Sequence, residues 1–157
     1  MLNNIIITGA NGFIGSHIVS YLLKIRIKPI LLIRKNSNLS RLPFIDKSRI
    51  IETNNILSPK TLTKLSKLSP SSLIHCAWGG VLSIDRNKEF QHQNLEFSKN
   101  TVKLASILNC KSWTGLGSHA EYGMIKQKTN ENSDCSPTTL YGKIKLRAGK
   151  ECLNLCE

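Results

Sequence analysis

A short apolar segment followed by a glycine-rich turn constrains the fold of this chain most strongly. Residues 4–15 read Asn-Ile-Ile-Ile-Thr-Gly-Ala-Asn-Gly-Phe-Ile-Gly. The isoleucine run is typical of a parallel strand covered on both faces, and the apolar spacing over 14–25 predicts a helix. Three glycines permit a sharp turn, a close approach to a pyrophosphate and tight packing of the helix, whose first amides would face the anion. We predict a nucleotide-binding turn, although a purely structural turn could use the same glycines.

Strand and helix patterns alternate along the rest of the chain. Strands are predicted at 30–33, 49–52, 72–78 and 111–117, and helices at 61–68, 88–108 and from 136 onward. This order implies a parallel sheet with right-handed crossovers. The predicted fold class is α/β, a Rossmann-like doubly wound parallel sheet.

Composition limits the classes of protein to consider. The 157 residues are enough for one domain, and the net charge of +12 comes from scattered lysines without aromatic residues between them. That pattern favours a solvated basic surface over nucleic-acid binding. The chain shows no apolar run of membrane-spanning length and no secretory signal, so we expect no membrane partner and a cytoplasmic location. The five cysteines are irregularly spaced, which predicts free thiols and no metal site.

The segment Thr8–His17, which reads Thr-Gly-Ala-Asn-Gly-Phe-Ile-Gly-Ser-His, resembles the opening of the extended short-chain dehydrogenases/reductases. That family contains NAD(P)-dependent nucleotide-sugar epimerases, dehydratases and ketoreductases. The resemblance continues to about Ala148, and it implies an NAD(P)-binding Rossmann domain over 1–157. Family members are much longer, so we expect a sheet that is incomplete at its C-terminal side and no substrate-binding domain.

The resemblance implies that the turn holds the cofactor through Gly9, Asn11, Gly12, Phe13, Ile14 and Gly15. At the end of the second predicted strand, NAD-selective sites carry an acidic residue, whereas this chain has Arg34 and Lys35. Guanidinium and ammonium groups suit a 2′-phosphate. We therefore predict NADP in preference to NAD, with simple solvation of a loop as the alternative.

Three further cofactor contacts depend on the resemblance alone. Asn55 occupies the place of a family aspartate near the adenine, and Ala77 belongs to a His-x-Ala segment that passes beneath the cofactor. Asn94 matches an active-site asparagine of the family. As bare residues, Asn94 would be a surface polar group of a helix and His75 a core histidine.

Two Tyr-Gly-x-x-Lys strings compete for the catalytic role, Tyr122–Lys126 and Tyr141–Lys145. Residues four apart share a face only in a helix. A polar segment without apolar period, 127–134, follows the first string, whereas the second lies in a helical pattern. We therefore select Tyr141 and Lys145.

An ammonium close to a phenol stabilises the phenolate, which can then exchange a proton with a substrate oxygen. The resemblance implies this role for Tyr141, with Lys145 also holding the nicotinamide ribose. It further implies that Ser118 hydrogen-bonds the reacting oxygen, although a serine could simply close a strand end. Dehydratases carry acidic residues where this chain has His119 and Ala120, which leaves ketone reduction or epimerisation. The Gly-Ser-x-Ala-Glu-Tyr-Gly segment is similar to deoxysugar 4-ketoreductases.

Three functions therefore compete. The first is an NADP-dependent epimerase or ketoreductase acting on a nucleotide-linked sugar. The second is an inactive dinucleotide-binding module, and the third is a basic nucleic-acid-binding domain. We also expect self-association, because an incomplete sheet and an apolar helix face would be left open.

Overall fold

The computed structural model describes residues 4–125 and 128–156. Lys126, the lysine of the rejected Tyr-Gly-x-x-Lys string, and Gln127 lie outside the described residues. The chain divides into two compact units. We call residues 1–77 with 100–115 the sheet unit, and residues 78–99 with 116–157 the helical unit.

The sheet unit contains five parallel strands in the order β3-β2-β1-β4-β5. The order changes direction at β1, whose neighbours are β2 and β4, and this is where open α/β sheets bind ligands. The predicted Rossmann-like parallel sheet is thus confirmed. The strands are β1 (Ile5–Thr8), β2 (Ile30–Ile33), β3 (Ile50–Glu52), β4 (Ser72–His75) and β5 (Ser112–Gly115).

Three helices accompany these strands in the sequence: α1 (Phe13–Lys24), α2 (Pro59–Ser66) and α3 (Gln91–Ile107). The residues of α3 from Asn100 onward belong to the sheet unit. Strands β1 and β2 are buried along their whole length and form the core with Val19 and Leu22 of α1. Strand β5 is mostly exposed.

Helix α1 forms where the apolar spacing predicts it, but its buried face differs from that spacing. Ile14, Tyr21 and Ile25 are exposed, whereas Gly15, Ser16, Val19 and Leu22 are buried. The first turn of the helix approaches the backbone too closely for a large side chain. Small residues are therefore needed where the helix packs on the backbone, and the spacing of apolar residues does not predict this.

The helical unit contains the first part of α3, a short turn of 3-10 helix at His119–Glu121, and α4 (Leu140–Asn154). Thr139 caps α4 by accepting a hydrogen bond from the Gly142 amide at 3.1 Å. Leu95, Ile144 and Ala148 form its small core, against which Trp78 and Leu140 pack. Among the described residues of both units, no helix has the length and apolarity needed to cross a bilayer.

Candidate cofactor and catalytic site

The glycine turn after β1 depends on close backbone contacts. Gly9 has φ +66°, a conformation that favours glycine. A Cβ atom at Gly15 would lie 2.2 Å from the carbonyl oxygen of Gly9, so any side chain there would displace the backbone. These two glycines are therefore required by the fold itself, whether or not a ligand binds.

The N-terminus of α1 is open toward solvent. Gly12 is the N-cap residue and provides no side-chain hydrogen bond, and Phe13 and Ile14 are exposed. The N-cap residue therefore does not cap the backbone amides of the first helical turn with a side chain. Such amides can donate hydrogen bonds to an anion such as a diphosphate. Asn11 donates from Nδ2 to the carbonyl of Asn38 at 3.1 Å, which ties the turn to the loop after β2.

Arg34 and Lys35 follow β2 directly and are both exposed. The backbone amide of Lys35 donates to Oδ1 of Asn54 at 3.3 Å. Within residues 4–125 and 128–156, neither cationic side chain forms an ion pair. Both charges are therefore available to a phosphate at the carboxyl end of the strand next to β1.

The other two residues predicted for the cofactor in this unit have different surroundings. Asn55 is exposed, and its Oδ1 accepts the Leu57 amide at 3.0 Å, so it stabilises a local turn. Ala77 comes shortly after β4, and its backbone would lie 2.7 Å from a Cβ atom on Gly9. The structure therefore brings Ala77, but not the amide oxygen of Asn55, into the packing of the glycine turn.

His75 is a satisfied core histidine, as the sequence predicts. Its side chain is buried, and Nδ1 lies 2.7 Å from Oγ1 of Thr8. Its ring also stacks with Trp113 at a centroid distance of 6.2 Å.

In the helical unit, Tyr141 and Lys145 lie one turn apart on α4, and each is only 8% exposed. The Lys145 ammonium donates to the carbonyl of Leu116 at 2.8 Å and lies 3.8 Å from the centre of the Trp78 ring. The Tyr141 ring meets Trp78 edge-on at 6.0 Å. Burying an ammonium is costly, and the carbonyl and the aromatic face offset part of that cost.

Two residues that hold this arrangement were not predicted from the sequence. Trp78 donates from Nε1 to Oε1 of Gln91 at 3.0 Å, and Gln91 is fully buried. Gln91 in turn donates to the carbonyl of Gly80 at 2.8 Å. The position of Trp78, immediately after Ala77, is the signal that could have drawn attention to it.

Asn94 binds the loop after Trp78 rather than lying free on a helix surface. Its Oδ1 accepts the Gly79 amide at 2.9 Å, and its Nδ2 donates to the Gly79 carbonyl at 3.0 Å. This paired contact fixes the backbone of the loop, so part of the hydrogen-bonding capacity of Asn94 is already used.

Ser118 begins the short helical turn at His119–Glu121. Its amide donates to Oε1 of Glu121 at 2.6 Å, and its Oγ accepts the Ala120 amide at 3.2 Å. A Cβ atom on Gly142 would lie 2.4 Å from the Ala120 carbonyl, so α4 packs directly on this turn. The structure therefore brings Ser118 into the region of α4 that carries Tyr141, and the Ser118 hydroxyl proton is not used in the Ala120 contact.

The sheet order and the uncapped glycine turn define a Rossmann-type α/β protein. Residues 5–157 match the profile of the family described as NAD dependent epimerase/dehydratase family. The chain belongs to that family. A comparison with curated protein sequences finds no match.

Solved structures of sugar-nucleotide epimerases share the fold. UDP-glucose 4-epimerase from Brucella ovis, in complex with NAD, has a TM-score of 0.82 and 20% identity, over 97% of this chain and 47% of that one. UDP-N-acetylglucosamine 4-epimerase from Methanobrevibacter ruminantium has a TM-score of 0.76 and 20% identity, over 97% and 50%. ADP-L-glycero-D-manno-heptose-6-epimerase from Helicobacter pylori has values of 0.74 and 23%, over 97% and 50%. The chain thus spans about half the length of these structures.

Proposed function

We propose that this chain binds NADP and takes part in redox chemistry at a carbon of a nucleotide-linked sugar, by ketone reduction or epimerisation. The observation that carries the proposal is the pair of buried side chains on α4, Tyr141 and Lys145. A lysine is rarely so deeply buried without a partner or a specific role, and the tyrosine four residues earlier lies on the same face of α4. Membership of the epimerase/dehydratase family supports the same chemistry.

The residues of the sheet unit fit a dinucleotide. The open amides at the start of α1, after Gly9 and Gly12, would receive the diphosphate, and Arg34 with Lys35 would pair with a 2′-phosphate. When bound, the nicotinamide ring supplies the group that donates or accepts hydride. Asn55 and Ala77 of the sheet unit and Asn94 of the helical unit are proposed as further contacts, in addition to the structural contacts that each makes.

Tyr141 would transfer a proton to or from the sugar oxygen at the reacting carbon, and the Lys145 ammonium would stabilise the phenolate. Lys145 would also hydrogen-bond the nicotinamide ribose. Ser118 would donate its hydroxyl hydrogen to the same sugar oxygen. His119 and Ala120 provide no carboxylate for the elimination of water, so dehydration is not part of the proposal.

Structural neighbours support the cofactor class and the substrate class. The Brucella ovis epimerase was solved with NAD, and the enzyme MoeE5 was solved with UDP-glucose and NAD. These complexes favour a nicotinamide dinucleotide and a nucleotide-linked sugar for this chain. The preference for NADP comes from Arg34 and Lys35 alone.

The test of the catalytic roles compares two matched tyrosine variants. NADPH oxidation is measured with nucleotide-linked 4-keto sugars for the wild type, Tyr141→Phe and Tyr122→Phe. The proposal predicts that Tyr141→Phe lowers the rate by roughly 10²-fold or more, the usual contribution of general acid–base catalysis. Tyr122 belongs to the rejected string, so its variant should keep the wild-type rate. Retained activity in Tyr141→Phe, or equal losses in both variants, would contradict the assignment.

A second candidate is a dinucleotide-binding module without turnover. It is favoured by one observation, that the side chain of Asn94, a residue that the resemblance assigns to the active site, already holds the Gly79 backbone through both its oxygen and its nitrogen. Tight NADPH binding without oxidation of NADPH by any nucleotide-linked keto sugar would support this module over the enzyme.

A further inference from the structure

The positive charge of this chain is concentrated in the sheet unit. Residues 1–77 and 100–115 contain 13 of the 22 lysines and arginines but only two of the ten acidic residues, Asp46 and Glu52. The helical unit contains nine basic and eight acidic residues. Nearly all of the net positive charge therefore lies in the sheet unit.

Hydrogen bonds mark out one edge of the sheet, where all five parallel strands begin. Arg49 donates from Nη2 to the Lys28 carbonyl, and to Oδ1 of Asn4 at 2.7 Å. The Ser71 amide donates to the Asn4 carbonyl at 2.8 Å, and the Lys111 amide donates to the Ser71 carbonyl at 2.8 Å. We call this edge of the sheet, which contains Asn4, Lys28, Arg49, Ser71 and Lys111, the amino edge. It lies at the opposite ends of the strands from the glycine turn.

Cations from loops and helix ends collect at the amino edge. A lysine in the last turn of a helix interacts favourably with the helix dipole, which accounts for Lys24. Lys47 begins the short 3-10 helix at Lys47–Arg49, whereas Lys28 and Lys111 lie in connections and have no such explanation. The sheet unit has two acidic residues. Glu52 ends β3 and so lies at the opposite edge of the sheet, whereas Asp46 directly precedes Lys47 in the sequence. The exposed cations are Lys24, Arg26, Lys28, Lys47, Lys67 and Lys111.

Apolar side chains project into solvent among these cations. Phe44 is 99% exposed, just before the short helical turn that begins at Lys47. Ile25 is 46% exposed between Lys24 and Arg26, and Ile107, the last residue of α3, is 54% exposed. A solvated basic face does not require exposed apolar residues at these places.

In contrast to the expectation from the sequence that the chain has no membrane partner, we infer that the amino edge binds the surface of an anionic lipid bilayer. Clustered lysines and arginines are attracted to the negative surface potential, and apolar side chains beside them gain free energy by entering the boundary of the acyl region. A nucleic acid would use the cations but would leave Ile25 and Ile107 in water. The contact is peripheral, and it does not involve the glycine turn at the carboxyl edge.

The test is flotation of the full chain with vesicles of phosphatidylcholine alone or mixed with phosphatidylglycerol. The chain should bind the mixed vesicles, and less strongly as the salt concentration rises. Changing Lys28, Lys47 and Lys111 together to Gln should lower the partition coefficient roughly a hundredfold. The matched control changes Lys128, Lys143 and Lys150 of the helical unit to Gln and should retain most of the binding. Phe44→Ser should weaken binding while leaving its salt dependence unchanged.

Three results would overturn the inference: equal partition onto neutral and mixed vesicles, equal losses in the two triple variants, or binding to duplex DNA without binding to the mixed vesicles. Circular dichroism establishes that each variant is folded. If the variant with Lys28, Lys47 and Lys111 changed to Gln failed to fold, Phe44→Ser would still provide a test. Binding of the Phe44→Ser variant to the mixed vesicles as strongly as the wild type would refute the role of the apolar residues. The turnover assay with Tyr141→Phe is independent of all these outcomes.

Discussion

Gly12 and Gly15 lie three residues apart in the same turn, yet a side chain at each would meet different surroundings. A Cβ atom at Gly15 would lie 2.2 Å from a backbone oxygen, whereas one at Gly12 would lie 3.2 Å from the same oxygen, with an ordinary φ of −75°. The fold therefore excludes a side chain at Gly15, whereas Gly12 is free of that requirement. Gly12 is the position at which ligand binding can be tested separately from folding.

We predict opposite results for two alanine variants. Gly15→Ala should lower the free energy of unfolding by about 3 kcal/mol, because the backbone must shift. Gly12→Ala should leave it within about 1 kcal/mol of the wild type but weaken NADPH binding about tenfold, because the methyl group lies where a diphosphate would approach. Urea unfolding and NADPH titration measure the two effects. Wild-type affinity in Gly12→Ala would refute this role of the turn.

At the scale of elements, Glu151 connects α4 to α3 in the helical unit. Its carboxylate lies 2.5 Å from Nε of Arg147 and 3.2 Å from Nζ of Lys99. Hydrogen bonds from Arg147, and then from Lys99, lower the pKa of Glu151 below its ordinary value of 4.5. Because folding lowers this pKa, the ion pairs of the carboxylate stabilise the fold at pH values above the pKa of Glu151 in the unfolded chain. That stabilisation is lost as the pH falls through the pKa of Glu151 in the folded chain.

We predict that Glu151→Gln lowers the melting temperature at pH 7 by roughly 2 °C, a small effect because the carboxylate is solvent-accessible. The difference from the wild type should shrink as the pH falls below 4.5, where the wild type loses the same ion pairs. Glu131→Gln, at an exposed position outside the helices, is the control and should not change the melting temperature. A difference between Glu151→Gln and the wild type that stays constant down to low pH would show that the ion pairs are not its cause.

Local sequence patterns located the elements but not the contacts between distant ones. The continuous apolar run between Pro29 and Arg34 predicts a strand at 30–33, and the observed strand has these bounds. The contact of Trp78 with Lys145 joins residues far apart in the sequence, and no local pattern encodes it. For the same reason, the resemblance implies a cofactor contact for Asn94 but does not indicate that its side-chain amide holds Gly79.

At the scale of the whole molecule, the exposed strand β5 affects association. Among the described residues, β5 pairs only with β4, and Thr114 on it is exposed. An unpaired strand edge can recruit another chain. We propose that the protein self-associates through this edge.

We predict that Thr114→Lys shifts the protein toward monomer, because a charged side chain on an edge strand opposes pairing. Asn132→Lys adds the same charge at an exposed position outside the helices and strands and should leave the association unchanged. Sedimentation velocity over a range of concentrations measures the distribution. A wild-type protein that is monomeric throughout, with a sharp two-state melt, would rule out the association.

The central claim is that the sheet unit binds a phosphorylated dinucleotide, and calorimetric titration with NADPH and NADH tests it most directly. We predict saturable binding of NADPH that is tighter than binding of NADH. Changing Arg34 and Lys35 together to Ala should lower the NADPH affinity about tenfold and leave the NADH affinity unchanged, because only NADPH carries the 2′-phosphate. Arg41→Ala, an exposed cation of the same connection, should change neither affinity. Absence of heat with either dinucleotide, for a protein shown to be folded, would contradict the claim.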